Sequence, residues 1–231
     1  KRINFMKYKA ILLDIDDTLY SYDRAHFFAT KSIINFFKKK FKIEKFSFTS
    51  TYEEARKKVH LELGNTAASH NRLLYFQKMC EYLDINPLKY GLKMHELYWD
   101  NYLKNLKPFD GVYDLLEKYR NKICFITDFT AHIQYQKIEK LKLNNYCNKI
   151  VTSEEAGKEK PHPFIFMLAL KKLNLNNHEV CMIGDNYEKD ILGAKDLGID
   201  TIWFNHKKKI RTYKKPFIKE VKKFKQILEL V

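Results

Sequence analysis

Four short apolar segments, well separated along the chain, constrain its fold most strongly. Each is rich in β-branched or aromatic residues and ends at polar residues. They are Tyr8–Leu13, Ile123–Ile126, Val180–Ile183 and Thr201–Phe204. Runs of this length and composition are typical of strands buried on both faces of a parallel sheet. Between the last three lie the amphipathic stretches Ile133–Leu143, Pro163–Leu173 and Tyr187–Leu197. These supply crossover helices, so the pattern predicts an α/β, doubly wound parallel sheet with its ligand site at the carboxyl ends of the strands.

The segment between the first two strands has a different pattern. From residue 21 to 107, apolar residues recur at helical spacing and no strand-like alternation is present. We expect residues 1–20 and 108–231 to form the α/β core, and residues 21–107 to form a helical insertion of four main helices. Because the insertion follows the first strand directly, we expect it to cover that strand's carboxyl end as a cap.

Local signals predict where some of the cap helices begin and end. Ser50 or Thr51, each followed by a glutamate three residues later, predicts the start of one helix, and Gly64 predicts its end. Asn86 and Pro87 predict the start of another helix.

Composition narrows the class of protein. Among 231 residues no apolar run approaches the roughly 18 to 20 residues of a membrane span, and no secretory cleavage site follows the basic N-terminal segment. The four cysteines form no CxxC pair, which argues against a zinc site or a disulfide framework. We therefore expect a cytoplasmic protein with no membrane partner.

The formal net charge of +15 raises the possibility of nucleic-acid binding. Lysine is scattered over every segment, a pattern that favours biased composition over a binding stripe. The densest basic stretch runs from Lys207 to Lys215, and we expect it to coat a surface loop.

The first strand runs directly into three carboxylates, Asp14, Asp16 and Asp17. Burying that much negative charge requires a counter-ion, and Mg²⁺ prefers carboxylate oxygens completed by water and phosphate oxygens. In strand geometry Asp14 and Asp16 point to the same side. Such a pair can divide phosphoryl transfer between them, with Asp14 attacking phosphorus and Asp16 acting as general acid and then general base.

This segment resembles the first motif of the haloacid dehalogenase superfamily, a hydrophobic strand followed by DxDx(T/V). Three further motifs follow in the family's order: Thr127 at the end of a strand, Lys160 directly before a proline, and the GDxxxxD loop from Gly184 to Asp190. Four motifs in order, each at a strand end, are specific, whereas a lone DxD is weak. The resemblance covers nearly the whole chain and includes a C1-type helical cap.

The resemblance implies a role for each motif residue. Thr127 and the backbone after it would hold a phosphoryl oxygen, and Lys160, for which Lys158 is the competitor, would steady the nucleophile and the phosphate. Mg²⁺ would be bound by the Asp14 carboxylate, the Asp16 carbonyl and Asp185. Asp190 would assist either through water or by orienting Lys160.

The second motif departs from the family's usual T-N-G and reads Thr127-Asp128-Phe129. Phe129 lacks the freedom of glycine to adopt positive φ, which puts the loop's shape in question. Asp128 would add a further negative side chain beside an anionic substrate, and it is a candidate substrate-binding residue together with Thr127 and Lys160. In the cap, the polar cluster 69–72 is either a helix start or a substrate contact, and Arg72 is the candidate contact.

These observations predict a Mg²⁺-dependent phosphomonoesterase that hydrolyses a small phosphorylated metabolite, a sugar phosphate or nucleotide, through an aspartyl-phosphate. Asp16 argues against hydrolysis of a carbon–halogen bond, because the dehalogenases that the fold resembles lack this second aspartate. The alternative is a catalytically inactive basic protein that binds nucleic acid, and a minor alternative is a phosphomutase. The sequence leaves the substrate and the oligomeric state open.

Overall fold

The computed structural model describes residues 6–210 and 218–231. The chain divides into two compact units, one formed by 22–106 and the other by the residues on either side of it. The second of these, the core, holds the α/β fold that the sequence predicts. Of the predicted basic stretch, Arg211, Lys214 and Lys215 lie outside the described residues.

The described part of the core contains a six-stranded, all-parallel sheet in the order β3-β2-β1-β4-β5-β6. Its strands are β1 (Ala10–Leu13), β2 (Ile123–Thr127), β3 (Ile150–Thr152), β4 (Val180–Gly184), β5 (Asp200–Phe204) and β6 (Lys219–Val221). The first strand is central, with Leu12 opposite Cys124 on one side and Met182 on the other. Every residue of β1, β2 and β4 is buried, as expected for strands covered on both faces.

Helices follow the strands of the core. They are α5 (Val112–Lys118), α6 (Ala131–Lys140), the short α7 (Ser153–Ala156), α8 (Pro163–Leu173) and a π-helical segment, Tyr187–Leu192, which continues into the short α9 (Gly193–Lys195). Ile165 and Phe166 of α8 pack with Leu12, Ile126 and Met182 in one hydrophobic layer. A smaller cluster, around Trp203 and Ile191, packs the π-helical segment. The strand order places the ends of β1, β2 and β4 side by side.

The other unit, the cap, has four α-helices in its described residues, as the sequence predicts. They are α1 (Tyr22–Phe41), α2 (Lys45–Leu63), α3 (Arg72–Tyr82) and α4 (Pro87–Lys104), with a 3₁₀ turn at Ala67–His70. The helices pack through aromatic side chains, and the fully buried ones include Tyr75, Phe76 and Tyr98. The cap aromatics therefore serve mainly as its hydrophobic core.

The predicted ends of the cap helices are right except at the start of α2. Gly64 ends α2, and the Asn86 side chain caps the first turn of α4. The capping signal at Ser50 and Thr51 is wrong, because α2 already begins at Lys45. Both hydroxyls donate back to the Ser47 carbonyl, at 3.1 and 2.8 Å. Serine and threonine can make this local bond inside a helix, so a capping pattern in the sequence does not by itself fix where the helix begins.

Candidate active site

The predicted acidic and basic side chains converge at the carboxyl ends of the central strands. Asp14 directly follows β1, Thr127 is the last residue of β2, and Asp185 directly follows β4. Lys160 comes from the loop between α7 and α8. Asp14, Lys160 and Asp185 are only 4%, 3% and 8% exposed, so this is a charged site inside the core unit.

The Lys160 ammonium contacts three groups of the site. Its ammonium lies 2.7 Å from Asp14 Oδ1 and 2.7 Å from Asp190 Oδ1, and it donates to the Ile126 carbonyl at 3.1 Å. The other oxygen of Asp14 accepts a hydrogen bond from the Thr18 hydroxyl at 2.7 Å. Lys158, the competitor for this role, is exposed. The geometry therefore favours Lys160, and the ion pair is consistent with Asp190 orienting that lysine.

Asp14, Asp185 and Asp190 each present a carboxylate oxygen within 4.8 Å of the others. Two hydrogen bonds fix the loop that carries Asp185 and Asp190. The backbone N–H of Asn186 donates to Asp190 Oδ2 at 2.9 Å, and the Trp203 indole donates to the Asp185 carbonyl at 2.9 Å. The glycine at 184 is required here, because a Cβ at that position would overlap the Asp190 carboxylate.

Crowding of these carboxylates changes their acidity. Burial, aided by the charge of Asp190 and opposed by Lys160, raises the pKa of Asp14 to about 7. Burial and the charge of Asp14 raise the pKa of Asp185 to about 6, although the Lys209 ammonium lies 3.1 Å away. Their ionised forms are therefore costly with the lysines alone as counter-ions. A donor set of converging carboxylate oxygens fits a hard divalent cation.

Asp16 has a separate set of partners. The Lys137 ammonium lies 2.6 Å from Asp16 Oδ1, the Gln134 amide donates to Oδ2 at 2.7 Å, and the Tyr20 hydroxyl donates to Oδ1. Although burial alone would raise it, the pKa of Asp16 is held below its usual value, chiefly by Lys137. Neither Lys137 nor Gln134 was predicted from the sequence. A signal was present, because both interrupt the inward apolar stripe that starts at Ile133 in α6 and continues to Leu141, the residue after the helix.

The second motif is connected to the rest of the site through Asp128. Its Oδ1 accepts from the Lys160 backbone N–H at 3.1 Å, and its Oδ2 pairs with Lys189 at 3.0 Å. Lys189 also pairs with the buried Glu159 at 2.7 Å. The negative side chain expected at position 128 therefore has an N–H and an ammonium as partners, and its contact with the substrate stays a prediction. Both oxygens are bound, and the side chain connects three loops of the site.

Phe129 adopts the backbone conformation that its side chain disfavours. Its φ is +82°, in the region usually left to glycine. The loop thus keeps a left-handed residue although the glycine of the usual motif is missing. The ring is 9% exposed, and its centroid lies 4.2 Å from the Lys137 ammonium, within the range of a cation–π contact.

The basic loop after β5 reaches the same site with its first residues. Lys207 pairs with Asp17, and His206 Nε2 lies 3.4 Å from the same carboxylate. Asn205 fixes the loop, since its side chain bonds both the N–H and the carbonyl of Lys209. Lys207 and Lys209 belong to the stretch that was expected to coat a surface loop, but they pair with carboxylates of the site.

In the cap, Asn71 caps α3 by accepting from the Leu73 N–H at 3.0 Å, so this part of the polar cluster is a helix start. Arg72, the first residue of α3, is 3% exposed. Its guanidinium donates to the Tyr22 hydroxyl at 2.5 Å and to the His70 carbonyl at 3.0 Å, and lies over the ring of Tyr75. Arg72 is thus part of the cap interior.

The remaining predictions concern metal, cysteine and membrane sites. Within 6–210 and 218–231, the Asp14, Asp185 and Asp190 cluster is the one group of histidine, cysteine and acidic residues arranged to hold a metal ion. All four cysteines are buried free thiols. No helix among these residues has the length and hydropathy to cross a bilayer.

The family model of the haloacid dehalogenase-like hydrolases matches residues 11–204, a span that contains every motif described above. The chain belongs to this family. Family membership confirms the predicted superfamily, the hydrolase class and the α/β fold.

Two curated relatives illustrate the range of named activities. The ribulose-1,5-bisphosphate 5-phosphatase of Halopiger xanaduensis is 33% identical over 201 residues, which cover 85% of this chain and 84% of that protein. The pyrimidine 5′-nucleotidase YjjG of Escherichia coli is 30% identical over 205 residues, 87% of each chain. Both are named as phosphatases or nucleotidases of small phosphorylated compounds, in agreement with the predicted enzyme class.

A solved structure agrees with the fold. The putative HAD-hydrolase YfnB of Bacillus subtilis, crystallised bound to magnesium, superposes with a TM-score of 0.74 at 22% identity. The match covers 97% of this chain and 99% of that one. At this identity the likeness shows the shared fold, and the binding of magnesium is a property of that structure.

Proposed function

We propose that the protein is a Mg²⁺-dependent phosphomonoesterase that hydrolyses a small phosphorylated metabolite through an aspartyl-phosphate intermediate. The observation that carries the proposal is the buried Lys160 ammonium, 2.7 Å from the Asp14 carboxylate. A buried carboxylate beside a fixed cation, at the end of a central strand, is suited to attack a phosphorus atom whose oxygens need neutralisation.

In the first step, Asp14 Oδ attacks phosphorus as the bond to the ester oxygen breaks. Lys137 stabilises Asp16 as a carboxylate in the free site, so Asp16 takes up a proton from solvent before this step. It then gives that proton to the ester oxygen, and the alcohol leaves. The products are an aspartyl-phosphate and a neutral alcohol. Lys160 balances charge on the nucleophile, and the Thr127 hydroxyl, at the end of β2, would bond a phosphoryl oxygen.

In the second step, Asp16, now a carboxylate, takes a proton from water while the water oxygen attacks phosphorus. The bond between phosphorus and Asp14 breaks, which releases phosphate and restores both aspartates to the forms in which they entered the first step. Two moderate barriers replace the very large barrier of direct hydrolysis, since phosphomonoesters are among the slowest compounds to hydrolyse in water.

The metal fits the carboxylates of Asp14 and Asp185, with the Asp16 carbonyl as the further ligand that the family resemblance implies. We propose that Asp190 supports the site by orienting Lys160, because its carboxylate pairs with that ammonium at 2.7 Å. When bound, Mg²⁺ supplies positive charge that offsets the carboxylates and the phosphoryl oxygens.

The names of the relatives support a sugar phosphate or a nucleotide as substrate. Arg72 stays a proposed substrate-binding residue, although its guanidinium is engaged within the cap. A screen of phosphorylated sugars, sugar acids and nucleotides with the Arg72→Lys variant tests that role, and an unchanged KM for every substrate would leave Arg72 with a structural role alone. The nucleic-acid alternative is less favoured, because Lys207 and Lys209 pair with carboxylates of the site. A phosphomutase would transfer the phosphoryl group from Asp14 to a second hydroxyl of the substrate instead of to water.

Asp14→Asn tests the nucleophile. We expect turnover to fall at least about a thousandfold, because the amide keeps the side chain's volume and loses its nucleophilic oxygen. The measurement is phosphate release from the best substrate of the screen, with circular dichroism to check the fold. Activity near that of the wild type would overturn the mechanism.

Removal of divalent metal tests the cofactor. We expect chelation to abolish turnover and added Mg²⁺ to restore it, because two buried carboxylates need a second counter-ion besides the lysines. A control that does not depend on activity is the midpoint of thermal unfolding, measured with and without Mg²⁺. Mg²⁺ should raise this midpoint in the wild type and leave it unchanged in the Asp185→Asn variant. Full turnover in chelator contradicts the proposal.

A further inference from the structure

The orientation of Asp16 is set by one face of α6. Lys137 and Gln134 are one helical turn apart, and they bind different oxygens of the same carboxylate, at 2.6 and 2.7 Å. The Tyr20 hydroxyl adds a donor to the first of these oxygens. A carboxylate bonded through both oxygens has little freedom to rotate, so the direction of Asp16 follows from where α6 lies.

Lys137 and Gln134 are polar side chains at fully buried positions. They lie on the stripe that also carries Ile133 in α6 and Leu141 just after it. Burying an ammonium and an amide is less favourable than burying apolar groups of similar size, which would fill the same space. The ring of Phe129, over the Lys137 ammonium, closes this small polar compartment.

Gln134 also connects Asp16 to the second-motif loop. Its amide nitrogen lies 2.8 Å from the Thr127 hydroxyl and 2.7 Å from the Asp128 carbonyl, as well as 2.7 Å from Asp16 Oδ2. An amide group has two hydrogens, so these three acceptors share them. One side chain therefore sets the position of Asp16 relative to the loop proposed to hold the phosphoryl group.

We propose that Lys137 and Gln134 are positioning residues that aim Asp16 at the leaving oxygen, an inference that rests on the proposed function. They act through Asp16 and do not touch the substrate. Their contribution is therefore large only where the leaving group needs a proton. An alkyl ester needs one, whereas an aryl ester such as p-nitrophenyl phosphate releases a stable anion without help.

The experiment compares kcat/KM for glycerol 3-phosphate and p-nitrophenyl phosphate in the Mg²⁺-loaded enzyme, since kcat/KM reports the steps up to loss of the alcohol. We expect Lys137→Met to lower the alkyl value about a hundredfold and the aryl value less than about tenfold. Lys140→Met is the matched control, because Lys140 lies on the exposed side of the same helix. It should leave both values unchanged.

Two further variants complete the test. Gln134→Leu keeps the ion pair intact and should show the same alkyl-selective loss, even if Lys137→Met fails to fold. In an Asp16→Asn background, Lys137→Met should lower kcat/KM little further, because the effects of residues that act through one group are not additive. Equal losses on both esters, or no loss, overturn the positioning role. Turnover that survives Asp14→Asn overturns the proposed function instead.

Discussion

Lys160 in the core and Arg72 in the cap are buried to the same extent, each 3% exposed, but their surroundings differ in kind. The lysine lies between carboxylates, Asp14 and Asp190, at 2.7 Å from each. The arginine contacts tyrosine hydroxyls, a carbonyl and the faces of two rings, Tyr75 and Tyr98. Both keep their charge, since the pKa of each lies above its usual value despite burial.

The difference indicates two uses of a buried cation. In the proposed mechanism Lys160 neutralises groups that carry negative charge during the reaction, so removing it leaves carboxylates without a counter-ion. Arg72 donates to neutral groups and stacks on rings, so removing it takes away packing and hydrogen bonds. The first loss should appear mainly in activity, and the second mainly in stability.

The largest effect is expected from Lys160→Met. Loss of the ammonium should lower kcat/KM by about a hundredfold or more, because charge on Asp14 and on the phosphoryl oxygens is no longer balanced. The measurement is steady-state kinetics at saturating Mg²⁺. Lys158→Met, a change of the same type at an exposed position of the same loop, should retain full activity. If both variants behave alike, Lys160 has no special role.

A smaller effect, on stability, is expected from Arg72→Met. The loss of charged hydrogen bonds and of the ring contacts should lower the free energy of unfolding by about 2 to 3 kcal/mol. Urea denaturation measures this value. Arg56→Met is the control, because Arg56 makes an exposed ion pair with Glu53, a type of contact worth less than about 1 kcal/mol. A loss no greater than that of the control would place Arg72 outside the packed interior.

The smallest effect concerns pH and His26, whose Nδ1 lies 2.7 Å from the Tyr98 hydroxyl. Burial, together with the charges of Arg72 and Arg56, lowers the pKa of His26 to about 4. The unfolded chain therefore takes up this proton at higher pH than the folded chain. Stability from His26 is complete above about pH 6.5 and falls as pH drops towards 4. The full shift corresponds to about 3 kcal/mol, and solvent screening at this partly exposed ring reduces the loss to about 2 kcal/mol or less.

His26→Phe should flatten that part of the pH profile of unfolding free energy while leaving the rest unchanged. Other groups contribute to acid sensitivity, so the informative quantity is the difference between variant and wild type from pH 6.5 to pH 4. A constant difference over this range would mean that His26 titrates normally in the folded protein.

Much of the site follows from the sequence because strand ends are predictable. Asp14, Thr127 and Asp185 each end or follow an apolar strand, and the parallel topology brings such ends together. Lys160 comes from a loop, and only the order of the motifs pointed to it. Strands β3 and β6 escaped prediction because each has three residues, too few for a periodic signal.

Residues that act through other residues were harder to predict. Lys137 and Gln134 contact Asp16 from more than one hundred positions away, and nothing local marks them except their place on a buried helical stripe. At Phe129 the residue type itself predicted the wrong backbone conformation. Its side chain argues against positive φ, but the loop imposes that conformation and a buried ammonium covers the ring.

The lack of space beside Gly184 also limits which amino acids can replace it. The space that a methyl group would need there is taken by the Asp190 carboxylate, whose other oxygen faces Lys160. In a library of random substitutions selected for activity, this position should therefore tolerate no replacement. Other glycines have room around them. At Gly157, for example, an added Cβ meets nothing within 4 Å, so that position should admit asparagine or another residue that accepts a left-handed backbone.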